Sequence, residues 1–243
     1  MKIAAAQIQP IKGDILSNIE KHKILIDIAI NNGTDLIIFP ELSITGYEPG
    51  LAEQLSLHYE DPILNNFQNI SDKNSISIWI GMPTKSEGKL FISCIMFHPK
   101  KRREIYSKRN LFPTEVEFFS KGNGFCHLEI LQNKISLAIC YDISDPTHSY
   151  EAYEAGSNIY IASVLNSING IDDDLIKLSD IAKKYTMTVL MANFVGESGG
   201  YVCAGKTSVW NNDGNLIDQL DNKNEGIIIL NTESNQVEKF YRI

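Results

Sequence analysis

Apolar positions along the chain alternate between short unbroken runs and longer stripes of helical period. Ile3 to Ile8 reads as a buried strand, after which Ile15, Leu16, Ile19, Ile24, Leu25 and Ile28 recur at roughly helical spacing until Asn32-Gly33 supplies a stop. Leu36-Ile37-Ile38-Phe39 is a second strand, ended by Pro40, so Glu41 falls just beyond its carboxyl end. In open α/β folds that is the edge where function gathers. A helix is predicted across Ile63 to Lys73, then strands at Ile76 to Met82 and Leu90 to Phe97 with Glu87-Gly88 as their hairpin turn.

Leu128 to Leu131 and Ile135 to Ile139 read as a second hairpin, turning through Gln132-Asn133-Lys134, and its outgoing strand ends at Cys140. Pro146 suits a helix start and Ala155-Gly156 its stop, Asn158 to Val164 a strand, Asp173 to Lys184 a helix and Val189 to Val195 a strand. The tail places strands at Thr207 to Trp210 and Gly226 to Leu230, with Asn212-Asp213-Gly214 as a turn between β segments. No low-complexity linker or shift in composition divides the chain, so residues 1–243 are expected to form one α/β domain.

Composition narrows the range of partners. With 43% hydrophobic residues the chain is an ordinary globular sequence, and its net charge of -8 argues against nucleic-acid or anionic-membrane surfaces, which call for clustered cations. The one basic run, Lys100-Lys101-Arg102-Arg103, fits a solvated hairpin turn. Four cysteines, Cys94, Cys126, Cys140 and Cys203, are widely spaced and form no C-x-x-C pair, which suits a reducing compartment. The apolar stretch from Met1 to Pro10 is too short for a signal-peptide core and no run is long enough to span a bilayer, so a cytoplasmic location is expected.

Taken singly, the chemistry-bearing residues are ambiguous. Cys140, between an apolar strand and a turn into a helix, suits either a buried small hydrophobe or a nucleophile beside backbone N–H donors. None of His22, His58, His98, His127 and His148 has catalytic or metal-binding spacing, so surface or structural roles are expected for them and no protein-held metal or cofactor is expected. Glu41 suits a structural ion pair as well as a general base, and Lys108 alone reads as an exposed strand lysine.

The joint pattern is more specific. Phe39-Pro40-Glu41-Leu42 with Gly46-Tyr47, then Tyr106-x-Lys108-x-x-Leu111 with Glu115 and Gly122, then Ile139-Cys140-Tyr141-Asp142 with Pro146, resembles the nitrilase superfamily of carbon–nitrogen hydrolases in order and spacing. The likeness runs from Ala4-Ala5-Ala6-Gln7 through Ala192-Asn193-x-x-Gly196 and Gly205-Lys206-Thr207 to the Asp213-Gly214 turn. It implies a four-layer α-β-β-α sandwich, paired across a homodimer interface or built into a higher homo-oligomer, with Glu41, Lys108 and Cys140 as a catalytic triad.

In the roles the resemblance implies, Glu41 takes the Cys140 proton and later serves the leaving amine and water, through a thioester on Cys140. Lys108 and the Tyr141 backbone N–H hold the oxyanion, Lys108 also lowers the thiol pKa, and Glu115 orients the lysine and the substrate. Glu117, two residues off that register, is expected to be exposed. Departures from the commoner pattern are Thr147, Ser93 and Leu165; Leu165, Tyr47 and Asn166 are candidate substrate-binding residues, the last two equally open to a structural role. The expected reaction is hydrolysis of a small non-peptide amide to a carboxylate and ammonia. Carbamoyl-amide or nitrile hydrolysis, acyl transfer, and a non-catalytic scaffold of the same fold are the alternatives.

Overall fold

The computed structural model describes residues 1–242. The first half runs through β1 (Lys2–Gln7), α1 (Ile15–Asn31), β2 (Leu36–Ile38), the single turn α2 (Ala52–Leu55), α3 (Asn65–Asn74), β3 (Ser77–Ser86), β4 (Lys89–Phe97) and β5 (Glu104–Ser107). Asp14 starts α1 by accepting the Ser17 N–H, and Glu87 and Gly88, both at positive φ, make the β3–β4 hairpin turn. The second half runs through β6 (His127–Ile130), β7 (Asn133–Ile139), α4 (Pro146–Glu154), β8 (Ile159–Ser163), α5 (Ile171–Tyr185), β9 (Thr188–Ala192), β10 (Val195–Ser198), β11 (Tyr201–Ala204), β12 (Ser208–Trp210), β13 (Leu216–Gln219), β14 (Gly226–Asn231) and β15 (Val237–Tyr241).

These strands build a seven-stranded sheet, β15-β14-β1-β2-β3-β4-β5, facing a six-stranded sheet, β13-β12-β9-β8-β7-β6, with β10 and β11 as a separate ribbon. Each main sheet has a parallel centre, β1-β2-β3 in one and β7-β8-β9 in the other, extended by antiparallel strands. The unbroken apolar runs follow from double-sided burial. In β7 and β8, Leu137, Ile139, Ile159 and Ile161 face the core between the sheets, while Ala138, Tyr160 and Ala162 face outward onto a layer that includes Leu178 and Ala182 of α5. The result is the α-β-β-α sandwich, and its carboxyl edge brings the end of β2 against the end of β8, where Ser163 Oγ donates to the Phe39 carbonyl at 2.9 Å.

Two expectations are corrected. The run Val189 to Val195 is two strands: β9 stops at Ala192 and β10 starts at Val195, because the buried Asn193 side chain captures backbone groups in place of a ladder, accepting from the Phe194 and Asn166 N–H groups. The second hairpin turns through Leu131 and Gln132, both at positive φ, so Asn133 and Lys134 already belong to β7. In the basic run, Lys100, Lys101 and Arg102 are exposed in the β4–β5 turn, but Arg103 folds back over the Phe97 ring at 5.1 Å. No helix among the described residues is long and apolar enough to cross a membrane.

Candidate active site

Glu41 lies in a turn immediately after β2, pinned from two sides. The Ile44 N–H donates to the Gly81 carbonyl at 3.0 Å, and Ser43 Oγ lies 2.9 Å from Nε2 of the wholly buried His22. Burial pushes the His22 imidazole down to about 3, so it stays neutral and acts as a structural strut, its Nδ1 2.7 Å from the Asn18 carbonyl oxygen. Gly81 is what lets β3 come this close: a Cβ there would sit 2.4 Å from both the Leu42 nitrogen and the Pro40 oxygen. Gly81→Ala is therefore expected to cost about 1–3 kcal/mol of stability and to displace Glu41. Thermal melting and kcat/KM measured together check this, and a variant unchanged in both would show that the contact is slack.

Lys108 follows β5, and the chain after it loops through Pro113–Glu115 and returns so that the Gly122 N–H donates to the Lys108 carbonyl at 2.8 Å. Gly122 is required by this approach, since a Cβ would meet the Ser107 oxygen at 2.1 Å. The lysine is thereby sealed, at 0% exposure, contrary to the exposed position its local sequence suggests. Its ammonium lies 2.7 Å from Glu41 Oε1 and 2.8 Å from the Glu115 carboxylate. Glu115, also wholly buried, accepts from the Tyr47 hydroxyl at 2.7 Å and from the Phe112 N–H at 2.7 Å. Ser93 belongs to a hydroxyl ladder, 2.7 Å from Thr84 and 2.8 Å from Ser107, next to the lysine.

Cys140 follows β7 and opens the short 3-10 helix Cys140–Ser144, at φ 44°, a left-handed conformation that costs a non-glycine residue energy. The bend turns its side chain out of the sheet: the sulfur lies 3.8 Å from the Leu165 carbonyl and lines a cavity of about 260 Å³ together with Glu115 and Tyr47. Tyr141 lies in the first turn of that helix, where backbone N–H groups have no partner within the helix.

Three buried charges, two negative and one positive, set the electrostatics of the site. Two carboxylates around one ammonium leave an excess negative charge when all are ionised. Burial pushes the Glu41 carboxyl up to about 7, with Lys108 pulling it down and Glu115 pushing it up. Burial alone would lower the Lys108 ammonium, but Glu41, Cys140 and Glu115 outweigh it and hold the group above the ordinary lysine range. Burial and the Glu41 carboxylate raise the Cys140 thiol well above its usual range, so the expected lowering by Lys108 is a real but losing contribution. Oε2 of Glu41 is buried with no hydrogen-bond partner among the described residues, and the Cys140 thiol is among the groups acting on that carboxyl.

The structure thus brings Glu41, Lys108, Glu115 and Cys140 together, with Tyr47, Leu165 and Asn166 on the cavity wall. Glu41 and Lys108 lie beneath the cavity rather than on its surface. Tyr47 does two things, walling the cavity and donating to Glu115. Asn166 is held by its backbone, its N–H donating to Asn193 and its carbonyl accepting from Ala204. Glu117 is exposed. The sequence pattern leaves out Tyr201, which lies on β11 at the cavity lip, 6.0 Å centroid to centroid from Tyr47. Its signal is Gly199-Gly200, a hairpin turn that lies beyond the strand assigned to Val189 to Val195. Lys177, also at the lip, is committed to Asp174 at 2.8 Å and Ser144 at 3.2 Å. Among the described residues no group of three or more His, Cys, Asp and Glu side chains is arranged to hold a metal ion.

A family model described as carbon-nitrogen hydrolase matches residues 2–242. A probable nitrilase of Schizosaccharomyces pombe is 28% identical over 238 residues, covering 93% of this chain and 86% of that protein. Among solved structures, an alanine-for-cysteine mutant of the amidase from Nesterenkonia sp. AN1 in complex with butyramide superposes with a TM-score of 0.88 at 22% identity, over 97% of this chain and 92% of that one. A glutamine-for-glutamate mutant of the same amidase, showing Michael addition of acrylamide at its active-site cysteine, has a TM-score of 0.88 at 22% identity, over 97% and 94%.

Proposed function

Because the chain belongs to the carbon-nitrogen hydrolase family of the nitrilase superfamily, we propose that it hydrolyses a small neutral amide to a carboxylate and ammonia, with Cys140 as nucleophile. The observation that carries this reading is the buried ammonium of Lys108 clamped between Glu41 and Glu115, the second of which lines the same cavity as the Cys140 thiol. The resting sulfur is a thiol, so its proton must leave as it attacks. Glu41 Oε2 takes that proton while the carbon–sulfur bond forms and the carbonyl π electrons move onto oxygen. An ammonium has three N–H groups; two of those on Lys108 face carboxylates, and the third, with the Tyr141 N–H, supports the oxyanion. Collapse breaks the carbon–nitrogen bond, ammonia leaves with the proton from Glu41, and water activated by the same carboxylate releases the acyl group from its thioester.

The cavity separates this reading from carbamoyl amino acids, which carry a carboxylate. Its wall includes Tyr47, Phe112, Tyr141, Leu165 and Tyr201, and its one lining cation among the described residues, Lys177, is already neutralised by Asp174, while Asp173 adds negative charge. An anionic substrate would meet repulsion without a free cation to offset it. The amidase complex with butyramide, a short neutral amide, supports the same choice by analogy. The test is an ammonia-release screen over neutral amides, carbamoyl amino acids and nitriles. Neutral amides are expected to exceed matched carboxylate-bearing compounds by about tenfold or more in kcat/KM, about 1.4 kcal/mol. Preference for a carboxylate-bearing compound, or for a nitrile without ammonia release from any amide, would overturn the reading.

A further inference from the structure

The nucleophile and the lysine stand on opposite sheets, so something must hold them in register at the edge. Lys108 follows β5 of the seven-stranded sheet and Cys140 follows β7 of the six-stranded sheet. One wholly buried carboxylate, Asp142, grips both segments. Its Oδ2 accepts the Ile139 N–H at 3.0 Å, just before Cys140, and its Oδ1 accepts the Arg109 and Asn110 N–H groups at 3.1 and 2.8 Å, just after Lys108. A fourth donor, the Tyr106 hydroxyl at 2.8 Å, is itself 3.1 Å from His148 Nε2, whose Nδ1 lies 2.9 Å from the Tyr160 hydroxyl. This chain joins β5, α4 and β8 behind the site. The nearby Arg109 guanidinium is directed elsewhere, to Glu151, so the Asp142 oxygens are satisfied by neutral N–H and O–H donors. A buried carboxylate with four such donors is expensive to desolvate and geometrically specific. Apolar packing could join two sheets without that cost, but it would not fix the chain directly before one reactive residue and directly after the other.

We propose that Asp142 is a positioning residue that sets the separation between the Cys140 sulfur and the Lys108 ammonium, with Tyr106 and His148 orienting its carboxylate. The inference rests on Cys140 as nucleophile. In Asp142→Asn one oxygen becomes an amide NH2 facing donors, so one of the two grips is lost while the size is kept. A misplacement of this kind typically costs about 10²-fold in rate. Accordingly kcat should fall by about 10²-fold with a smaller change in KM, because Cys140 and Tyr141 of the cavity wall sit on the segment that Asp142 holds, while Tyr47, Leu165, Asn166 and Tyr201 do not.

The experiment measures steady-state kinetics on a neutral amide together with the rate of Cys140 alkylation by 2-chloroacetamide, read by peptide mass, for the parent, Asp142→Asn and Tyr106→Phe. Expected is slowed alkylation in both variants, less in Tyr106→Phe, alongside the kcat loss. If Asp142→Asn does not fold, Tyr106→Phe decides, since it removes one hydroxyl and leaves the three N–H bonds to Asp142. Unchanged kcat and alkylation in a folded Asp142→Asn, or in Tyr106→Phe when that is the deciding variant, would overturn the proposal. So would a loss confined to KM or to melting temperature. Failure of the nucleophile assignment on which this rests looks different: the parent's Cys140 would alkylate no faster than its buried cysteines.

Discussion

Cys140→Ala should fold as the parent does and lower amide turnover by about 10⁴-fold or more, since removing a nucleophile leaves only binding and the remaining polar groups to act. The substitution deletes one atom that points into a cavity, so no packed core is opened. The backbone strain at φ 44° remains, because alanine tolerates that conformation no better than cysteine. In the parent, rapid quenching during turnover followed by intact-mass measurement should show one acyl increment, mapped to the peptide that holds Cys140. Cys94, Cys126 and Cys203 should stay unmodified: all are buried, and none of them lines the cavity that the Cys140 sulfur shares with Glu115. Hydroxylamine should divert the acyl group to a hydroxamate, because a thioester can be intercepted by an added nucleophile. Turnover by the variant near the parent rate, or an adduct on a different cysteine, would remove Cys140 from the mechanism.

Strand ends are the part of the site that the linear chain makes legible. Pro40 and the turn after Ile139 both interrupt apolar runs, and those interruptions alone put Glu41 and Cys140 at a carboxyl edge. Periodicity measures which faces are buried, and the double-sided burial of β7 and β8 makes an unbroken run there. It carries no information on a residue buried by a returning loop. Lys108 is such a residue: local pattern gives an exposed strand lysine, and its burial depends on Gly122 and Glu115, which come back to it from later in the chain. Only the resemblance across three blocks places it in the site. Periodicity also misses breaks made by a side chain, which is why Asn193 conceals the ribbon carrying Tyr201. Asp142 is visible as part of a motif, but its grip on the Lys108 segment joins two sheets and has no local trace.

Glu41→Gln should lower kcat/KM by about 10²–10⁴-fold, the usual cost of losing a general acid–base group, while leaving the fold intact and the high-pH stability equal to or above the parent's. The activity argument follows from the carboxyl's position and its pKa. Glutamine can still accept from Lys108 through its carbonyl oxygen, but it cannot take the thiol proton. In the parent the free carboxyl ionises at about 7, raised by burial, so kcat/KM should fall as the pH drops below about 7. That acid limb should be missing from the residual activity of the variant. The stability argument runs on the same shift. The folded carboxyl holds its proton up to about 7, against an ordinary value of 4.5, so between those values the native state binds more protons than the unfolded chain. Stability is therefore fully present below the ordinary value and is lost as the pH rises through the folded one. Above about 7 the parent carries the whole penalty of an ionised, buried Glu41 beside Glu115, while the variant leaves Lys108 and Glu115 as a neutral pair. Melting curves at about pH 5 and pH 8 test this linkage: the variant should gain on the parent as the pH rises. A variant that loses stability relative to the parent between those two values would mean that Glu41 is a structural ion-pair partner of Lys108, and activity within a few-fold of the parent would mean that it is not the base.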